Sequence, residues 1–286
     1  MYSSVRTLLT GLIDYAGLFP PASLDMASAV REFESYRASE FAWALGRFIV
    51  PASRLDELEA AMGNGFGPLS VLIGSDRNRD VAQIHAFAQR HPGAIETIEV
   101  KAATVENIRN ISQGTPSELP TFFEIPVTDS RATLLSAISE EGCCAKIRTG
   151  GVQPDAFPSA DDLVRFLQLS SILGVPFKAT AGLHHPIRGS HKMTYEEHSP
   201  CAVMHGFVNV FLAAGFVRNH MPTQLVTELI EEQSPEAFQF GEDGVRWRNN
   251  RLSKDEMAAM RNNFGVAFGS CSFEEPIEDL RSMSLL

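Results

Sequence analysis

Residues 143–182 contain two short β-rich runs, Cys143-Cys-Ala-Lys-Ile-Arg-Thr-Gly-Gly151 and Val175-Pro-Phe-Lys-Ala-Thr-Ala-Gly182, and both of them end in a glycine turn. Between the runs, residues 160–173 have a helical pattern. A strand, a helix and a second strand in this order form a βαβ unit, whose two strands lie parallel in one sheet. This stretch therefore predicts a parallel α/β fold.

The same alternation of strands and helices extends along the rest of the chain. Six further strands are predicted over residues 8–13, 46–50, 69–73, 95–101, 121–127 and 265–269. Eight is the number of parallel strands at which a sheet closes into a barrel that its own side chains fill. We therefore predict a single α/β domain over residues 1–286, a (β/α)8 TIM barrel, with an open doubly wound sheet as the alternative. Ser23 is predicted to cap the helix over residues 24–36.

The alternation breaks after the seventh strand. Residues 183–200 have the composition of a loop, residues 201–232 have that of helices, and residues 238–247 resemble a hairpin with an Asp-Gly pair in its turn. We therefore predict an insertion between strands seven and eight that covers about residues 183–262.

The composition argues against several classes of partner. With 24 Lys and Arg against 35 Asp and Glu, the formal net charge of −11 would repel a phosphate backbone, so no nucleic-acid partner is expected. No apolar run approaches the roughly 18 to 20 residues that span a bilayer, and there is no signal-peptide pattern. No membrane partner and a cytoplasmic location are therefore expected. Whether the chain forms a homo-oligomer is left open.

Two lysines, Lys146 and Lys178, lie inside the apolar runs of strands six and seven. Burying an ammonium group is costly unless it is paired or loses its proton. In the catalytic interpretation, burial and a second nearby cation lower the pKa of one amine until it can condense with a carbonyl to form a Schiff base. In the structural interpretation, each lysine pairs with a carboxylate of a neighbouring strand, and the candidates are Glu96, Glu99 and Glu124.

The order of these motifs resembles that of deoxyribose-phosphate aldolase and related class I aldolases. The matching segments are Leu12-Ile-Asp-Tyr15, Lys146-Ile-Arg-Thr-Gly150, Lys178-Ala-Thr-Ala-Gly182 and Phe268-Gly-Ser-Cys-Ser272. The resemblance implies that Lys146 forms the Schiff base, that Lys178 tunes its pKa, and that an acidic residue of strand four relays protons. That residue would be Glu96 or Glu99, and side-chain alternation sends these two to opposite faces of the strand. Asp14 closes strand one and either reaches the pocket or bonds only backbone amides of its loop.

The turns at the ends of the strands suggest a site for an anion. In the aldolase family a Gly-Gly turn for phosphate follows strand seven, whereas here Gly182 is followed by Leu183-His-His-Pro-Ile-Arg188, which argues against a phosphorylated sugar. Exposed backbone amides at such turns bind anions. The predicted binding residues are Arg148, Thr149, Gly150, Gly151, His184, His185, Arg188, Gly269 and Ser270.

Histidines cluster after strand seven. His184, His185, His191, His198 and His205 lie in one stretch together with Glu196 and Glu197. Imidazole and carboxylate groups suit a divalent metal, although their spacing matches no known ligand motif. The alternative to a metal is that His184 or His185 exchanges protons with the substrate or hydrogen-bonds to it.

The sequence thus supports three hypotheses. The first is a class I lyase or aldolase that needs no cofactor, acts on a small carbonyl compound or an anionic one, and uses Lys146 as its nucleophile. The second is a metal-dependent barrel enzyme that uses the loop from His184 to His198. The third is a non-catalytic barrel that binds an anionic ligand, because a fold does not guarantee catalysis.

Overall fold

A closed barrel of eight parallel strands forms the centre of the protein. A computed structural model describes residues 1–127 and 131–286. The barrel strands are β1 (Ile13–Tyr15), β2 (Leu45–Pro51), β3 (Leu69–Ile73), β4 (Ile95–Lys101), β5 (Thr121–Glu124), β6 (Cys144–Arg148), β7 (Phe177–Thr180) and β13 (Gly265–Ser270). Each strand pairs with its neighbour in sequence, and β13 closes the ring between β7 and β1. This is the architecture of an α/β TIM barrel, so the barrel part of the predicted fold class is confirmed.

Helices follow the barrel strands and surround them. Those described are α1 (Ser3–Leu9), α2 (Met26–Arg37), α3 (Leu55–Ala61), α4 (Arg77–Arg90), α5 (Val105–Ser112), α6 (Arg131–Glu140), α7 (Ala160–Ile172), α8 (Phe207–Arg218), α9 (Thr223–Glu231), α10 (Lys254–Asn263) and α11 (Glu274–Ser282). In the described ranges, none of the helices is long and apolar enough to cross a membrane.

The chain between β7 and β13 carries additional structure. A ribbon of two antiparallel strands, β8 (Gly189–Lys192) and β9 (Cys201–Met204), comes first. After α8 and α9 comes an antiparallel sheet of β10 (Phe238–Gly241), β11 (Gly244–Trp247) and β12 (Asn250–Ser253), and α10 then leads into β13. The predicted hairpin corresponds to β10 and β11, whereas the ribbon and β12 were not predicted.

Alternation along the strands separates an apolar outer face from a charged inner face. On the outer face, Phe48 of β2 packs edge-on against Phe33 of α2, and Phe268 of β13 stacks on Phe207 of α8. On the inner face, Lys146 and Lys178 meet carboxylates that project from other strands. Because successive side chains of a strand point in opposite directions, one strand can serve both the helix layer and the interior.

The amino terminus departs from the predicted strand over residues 8–13. Ser4, Val5, Leu8 and Leu9 are buried at helical spacing on α1, which packs against α10, and β1 begins only at Ile13. The apolar residues from Leu8 to Ile13 belong to two elements, and composition alone does not show the boundary between them.

The predicted cap of the first barrel helix is also wrong. Ser23 has a positive φ of 47° and lies outside the helix, whereas the Asp25 side chain accepts a hydrogen bond from the Ser28 amide at 2.7 Å and caps α2. Ser and Asp are both favoured N-cap residues, so residue type alone could not show which of the two caps α2. The position at which the turn after β1 ends decided between them.

Candidate active site

A cavity of about 660 Å³ opens at the carboxyl ends of the barrel strands. Its floor is formed by inward-facing side chains of β4, β5 and β6, and its walls come from the loops after β1, β6 and β7, the β8–β9 ribbon and the start of α11. This is the end of the barrel at which ligands bind in proteins of this architecture. The cavity is also large enough for a small-molecule substrate.

Lys146 is the amine on the floor of this cavity. Its Nζ lies 2.6 Å from Glu99 Oε2 and 3.1 Å from Glu124 Oε2, and its side chain is 5% exposed. Two carboxylates thus hold one nearly buried ammonium group, while the side chain still lines the cavity.

Lys178 lies beneath the floor and is more deeply buried. Its Nζ is 2.6 Å from Asp14 Oδ2, 2.5 Å from Glu99 Oε1 and 3.3 Å from Ser70 Oγ. Glu99 therefore bridges the two lysines, with one oxygen on each amine. Lys178 and Asp14 do not line the cavity, so a bound molecule would reach Lys146 and not Lys178.

Strand register brings these groups together. Glu124 of β5 is the Cα partner of Lys146 of β6, which is in turn the partner of Lys178 of β7. Three charged residues therefore lie in one row across adjacent strands, where in-register side chains are about 5 Å apart. Glu99 and Asp14 reach the row from β4 and β1 across the barrel interior.

Mutual charge sets the protonation of this network. Burial by itself would raise the pKa of Glu99, but Lys146 and Lys178 outweigh it and hold that pKa well below its usual range. Burial likewise opposes the charged form of Lys146, but Glu99 and Glu124 overcome this and raise the pKa of the amine. In the free protein the pKa of Lys146 is therefore raised and not lowered as the catalytic interpretation requires, and its partners Glu99 and Glu124 are among the carboxylates that the structural interpretation named.

Cations surround the upper part of the cavity. Arg148 donates from Nε to Glu124 Oε1 at 3.0 Å, and in the described part of the chain its two terminal amino groups have no acceptor. Lys101 and Lys192 also line the cavity. Over the whole cavity lining, four Lys and Arg side chains stand against three glutamates, although the whole chain has a net charge of −11. The cavity is thus a positively biased region of an acidic protein, which favours an anionic ligand.

Some of the predicted site residues line this cavity and others do not. Those that line it are Glu99, Lys146, Arg148, Gly151, His184, His185 and Gly269. Those that do not are Asp14, Glu96, Thr149, Gly150, Lys178, Arg188 and Ser270. Asp14 and Lys178 still belong to the charge network, whereas the other five have different positions in the structure.

Three of those five lie away from the cavity for clear reasons. Glu96 is at the amino-terminal end of β4 with its side chain 46% exposed, and it pairs with Arg47 Nε at 3.0 Å, so Glu99 is the strand-four glutamate that meets the lysines. Arg188 instead contacts His205 Nδ1 at 3.1 Å. Ser270 follows Gly269 on β13 and is buried on the other face, as alternation requires.

Thr149 and Gly150 hold two turns together. Thr149 Oγ1 donates a hydrogen bond to the carbonyl of Ala181 at 2.5 Å, which links the turn after β6 to the turn after β7. A Cβ on Gly150 would lie 2.8 Å from Gly182 Cα and 2.5 Å from Phe157 Cε1. These residues therefore fix the shape of the cavity wall.

We expect Gly150→Ala to lower the free energy of unfolding by about 1 to 3 kcal/mol, since the added methyl group forces two backbones apart. Urea denaturation followed by circular dichroism measures the change. Gly114→Ala is the matched control, because its Cβ would meet Asn110 O at an ordinary 3.6 Å. Equal stability of both variants with the parent would show that the contact between the turns is not tight.

A second group of polar side chains lies on the cavity wall. His184 Nδ1 is 3.1 Å from Glu275 Oε2 and 3.9 Å from Cys271 Sγ, and Tyr195 OH is 3.4 Å from the same sulfur. His185 Nδ1 is 2.6 Å from Asp279 Oδ2, and its ring stacks on that of His191. The two histidines that follow β7 are therefore oriented by carboxylates of α11.

The metal hypothesis gains no support from this arrangement. Among residues 1–127 and 131–286, no three His, Cys, Asp or Glu side chains form a group that could hold a metal ion. The imidazoles of His184 and His185 both contact Glu275, at 3.1 and 3.8 Å, and His185 also contacts Asp279 at 2.6 Å, so these histidines are paired with carboxylates of α11.

Two parts of the site were not predicted. Glu124 was considered only as a structural partner, although it carried the same signal as the lysines, a single charge in an apolar strand. Cys271, Tyr195 and Glu275 gave no such signal. Cys271 is 87 residues from His184 in the sequence, and only the folded chain brings them together.

Comparisons with known proteins add no family to this description. No protein-family model matches the sequence, and no curated protein matches it either.

Proposed function

We propose that this chain is a class I lyase of the aldolase type, in which Lys146 forms a Schiff base with a small carbonyl compound that also bears an anionic group. The observation that supports this most directly is the position of Lys146, an amine held by two carboxylates on the floor of a cavity of about 660 Å³. The order of motifs that resembles deoxyribose-phosphate aldolase agrees with this choice.

The amine has to lose its proton before it can react, and Glu124 is the group that accepts it. Glu124 has one oxygen on Lys146 and the other on Arg148, and these cations lower its pKa although burial alone would raise it. An anionic substrate that engages Arg148 weakens the second contact and raises the pKa of Glu124. The proton of Lys146 then moves to Glu124, so the substrate itself activates the nucleophile.

The reaction then follows from the positions of the charges. The free amine attacks the carbonyl carbon, the oxygen takes up protons and leaves as water, and the nitrogen becomes a positively charged iminium. Glu99 stays ionised because Lys178 continues to neutralise it, and its Oε2 lies on the nitrogen side, where it stabilises the iminium. The iminium accepts the electron pair of the carbon–carbon bond that breaks, which is the step that a Schiff base makes easier.

The substrate class follows from the cavity. The cations at its mouth suit a carboxylate or another small anion, and bidentate contact with Arg148 would fix its orientation. Apolar side chains such as Ile49, Leu72 and Met193 form the remaining wall, which suits a short carbon chain.

Borohydride trapping tests the proposal. The protein is incubated with pyruvate, glyoxylate or acetaldehyde and reduced, and the modified peptide is identified by mass spectrometry. We expect one adduct, on Lys146, that is absent from Lys146→Met and retained in Lys254→Met, which alters an exposed lysine at the start of α10. An adduct that persists in Lys146→Met, or no adduct with any of the three compounds, would overturn the proposal.

An anion-binding barrel without catalysis is the second candidate. The raised pKa of Lys146 favours it, because a fully paired ammonium group is a stable structural element. It predicts that pyruvate binds without forming an adduct and that Arg148→Ala abolishes this binding in calorimetry, so the trapping experiment separates the two candidates.

A further inference from the structure

Cys271 lies at the cavity wall within a set of hydrogen-bond donors. The residue follows β13 directly, and its sulfur is 3.4 Å from Tyr195 OH and 3.9 Å from His184 Nδ1. A protonated imidazole and a hydroxyl group close to one sulfur favour the thiolate over the thiol.

A carboxylate supports the histidine of this set. Glu275 Oε2 lies 3.1 Å from His184 Nδ1 and 3.4 Å from Tyr195 OH, so it keeps the imidazole protonated and oriented. Burial would lower the pKa of His184, but Cys271 and Glu275 raise it to about 10. A sulfur beside an imidazolium that a third group orients is the arrangement that activates cysteine nucleophiles.

The other cysteines lack these surroundings. Burial raises the pKa of the Cys143 thiol to about 11 and that of Cys144 to about 12, and Cys201 is exposed on β9. For Cys271, burial also acts to raise the pKa, but the donors of His184 and Tyr195 outweigh it and lower the pKa. Cys271 is therefore chemically distinct from the other three thiols, and it also lines the cavity.

We propose that Cys271 is a second nucleophile of the cavity, a thiolate that adds reversibly to the carbonyl carbon of small aldehydes. In this step a bond forms between the sulfur and the carbonyl carbon, and the π electrons of the carbonyl move to the oxygen. The oxygen then takes a proton from the imidazolium of His184. The product is a hemithioacetal, and no oxidant or reductant is required. The proposal does not depend on a Schiff base at Lys146.

Alkylation by iodoacetamide measures the reactivity of the thiolate. Peptide-resolved mass spectrometry gives the rate at each cysteine between pH 5 and pH 9, and exposed Cys201 serves as the internal reference. At pH 6 an ordinary thiol with a pKa of about 8.5 is only about 0.3% thiolate. We expect Cys271 to react at least about tenfold faster than Cys201 at this pH. Equal rates, or no labelling of Cys271 in the folded protein, would overturn the proposal.

Two variants test whether His184 and Tyr195 activate the Cys271 sulfur. The titratable groups that face the sulfur are His184, Tyr195, Glu275 and, from β1, Tyr15. We expect His184→Asn to shift the pH profile of Cys271 labelling upward by more than one pH unit, and Tyr195→Phe to shift it by less. Tyr195 is largely exposed, so its variant tests the proposal even if His184→Asn fails to fold. Unchanged profiles in the folded variants would contradict the activation by these donors.

Protection by aldehydes tests the addition itself. Acetaldehyde or glyoxylate should slow the labelling of Cys271 severalfold, and dialysis should restore the rate. The same protection in Lys146→Met shows that the aldehyde is held by the sulfur and not by the amine. Loss of protection in that variant, or no protection by either compound, would overturn the proposal and would leave the trapping experiment on Lys146 unaffected.

Discussion

Replacing Glu99 with alanine is expected to lower the free energy of unfolding by about 3 to 5 kcal/mol, the usual cost of removing one partner from a buried ion pair. Glu99 holds both Lys146 and Lys178 at 2.5 to 2.6 Å, and its side chain is 2% exposed. Without it, among the described residues Lys178 keeps only the carboxylate of Asp14, and Lys146 keeps only that of Glu124, which Arg148 also contacts, so both buried ammonium groups lose their closest shared carboxylate. Urea denaturation followed by circular dichroism measures the loss.

The matched control is Glu96→Ala on the same strand. Glu96 pairs with Arg47 at 3.0 Å, but its side chain is nearly half exposed, so its removal should cost less than about 1 kcal/mol. Equal losses of stability in the two variants would mean that Lys146 and Lys178 do not need Glu99 as a charge partner.

Acid stability gives a second measure of the same network. Lys146 and other cations lower the pKa of Glu99 and Glu124 in the folded protein. Near and below about pH 4.3, the pKa of a glutamate in the unfolded chain, these two carboxyl groups therefore bind more protons in the unfolded chain than in the folded protein. The contribution of these two groups is therefore complete above that pH and is lost as the pH falls toward their folded pKa values. The dependence of stability on pH below about 4.3 should be shallower in Glu99→Ala than in the parent protein.

The second large effect is expected from Glu124→Gln, which should slow Schiff-base formation at Lys146 by about 100-fold or more, since a positioned general base contributes about 100- to 10,000-fold. Glutamine keeps the size of the side chain but cannot accept the proton of the amine. Cyanoborohydride trapping at timed intervals, read by mass spectrometry, gives the rate.

Glu96→Gln is the control for this rate, because it makes the same chemical change away from the cavity. A rate in Glu124→Gln close to that of the parent would assign the proton transfer to Glu99 or to water, and the role given to Arg148 in substrate activation would then be lost.

The site could be predicted in part from single residues. Lys146 and Lys178 stand out in the sequence because a charge within an apolar strand demands a compensating partner. Their partners could not be assigned, since Glu96, Glu99 and Glu124 all satisfied the same demand. The register of the strands decided which glutamates pair with the lysines. It places Glu124 beside Lys146, and Glu99 contacts both amines. The direction of the Lys146 pKa shift depended on these contacts, and the sequence left it open between the catalytic interpretation, which lowers the pKa of one amine, and the structural interpretation, which pairs each amine with a carboxylate.

The strands themselves were predictable wherever turn residues bounded an apolar run. The bounds of β3 and β4 were predicted correctly, because such runs are local features of the chain. The same local argument failed at residues 8–13, where a helix and a strand share one apolar run.

The sequence by itself determined the alternation of strands and helices and the two lysines inside apolar strands, because both features are visible in neighbouring residues, whereas it left a closed barrel and an open sheet as alternatives. Tertiary structure alone decided the bridge that Glu99 makes and the contact between Cys271 and His184. Both depend on side chains that are far apart in the chain, and their distances are set only when the barrel closes and its loops pack above it.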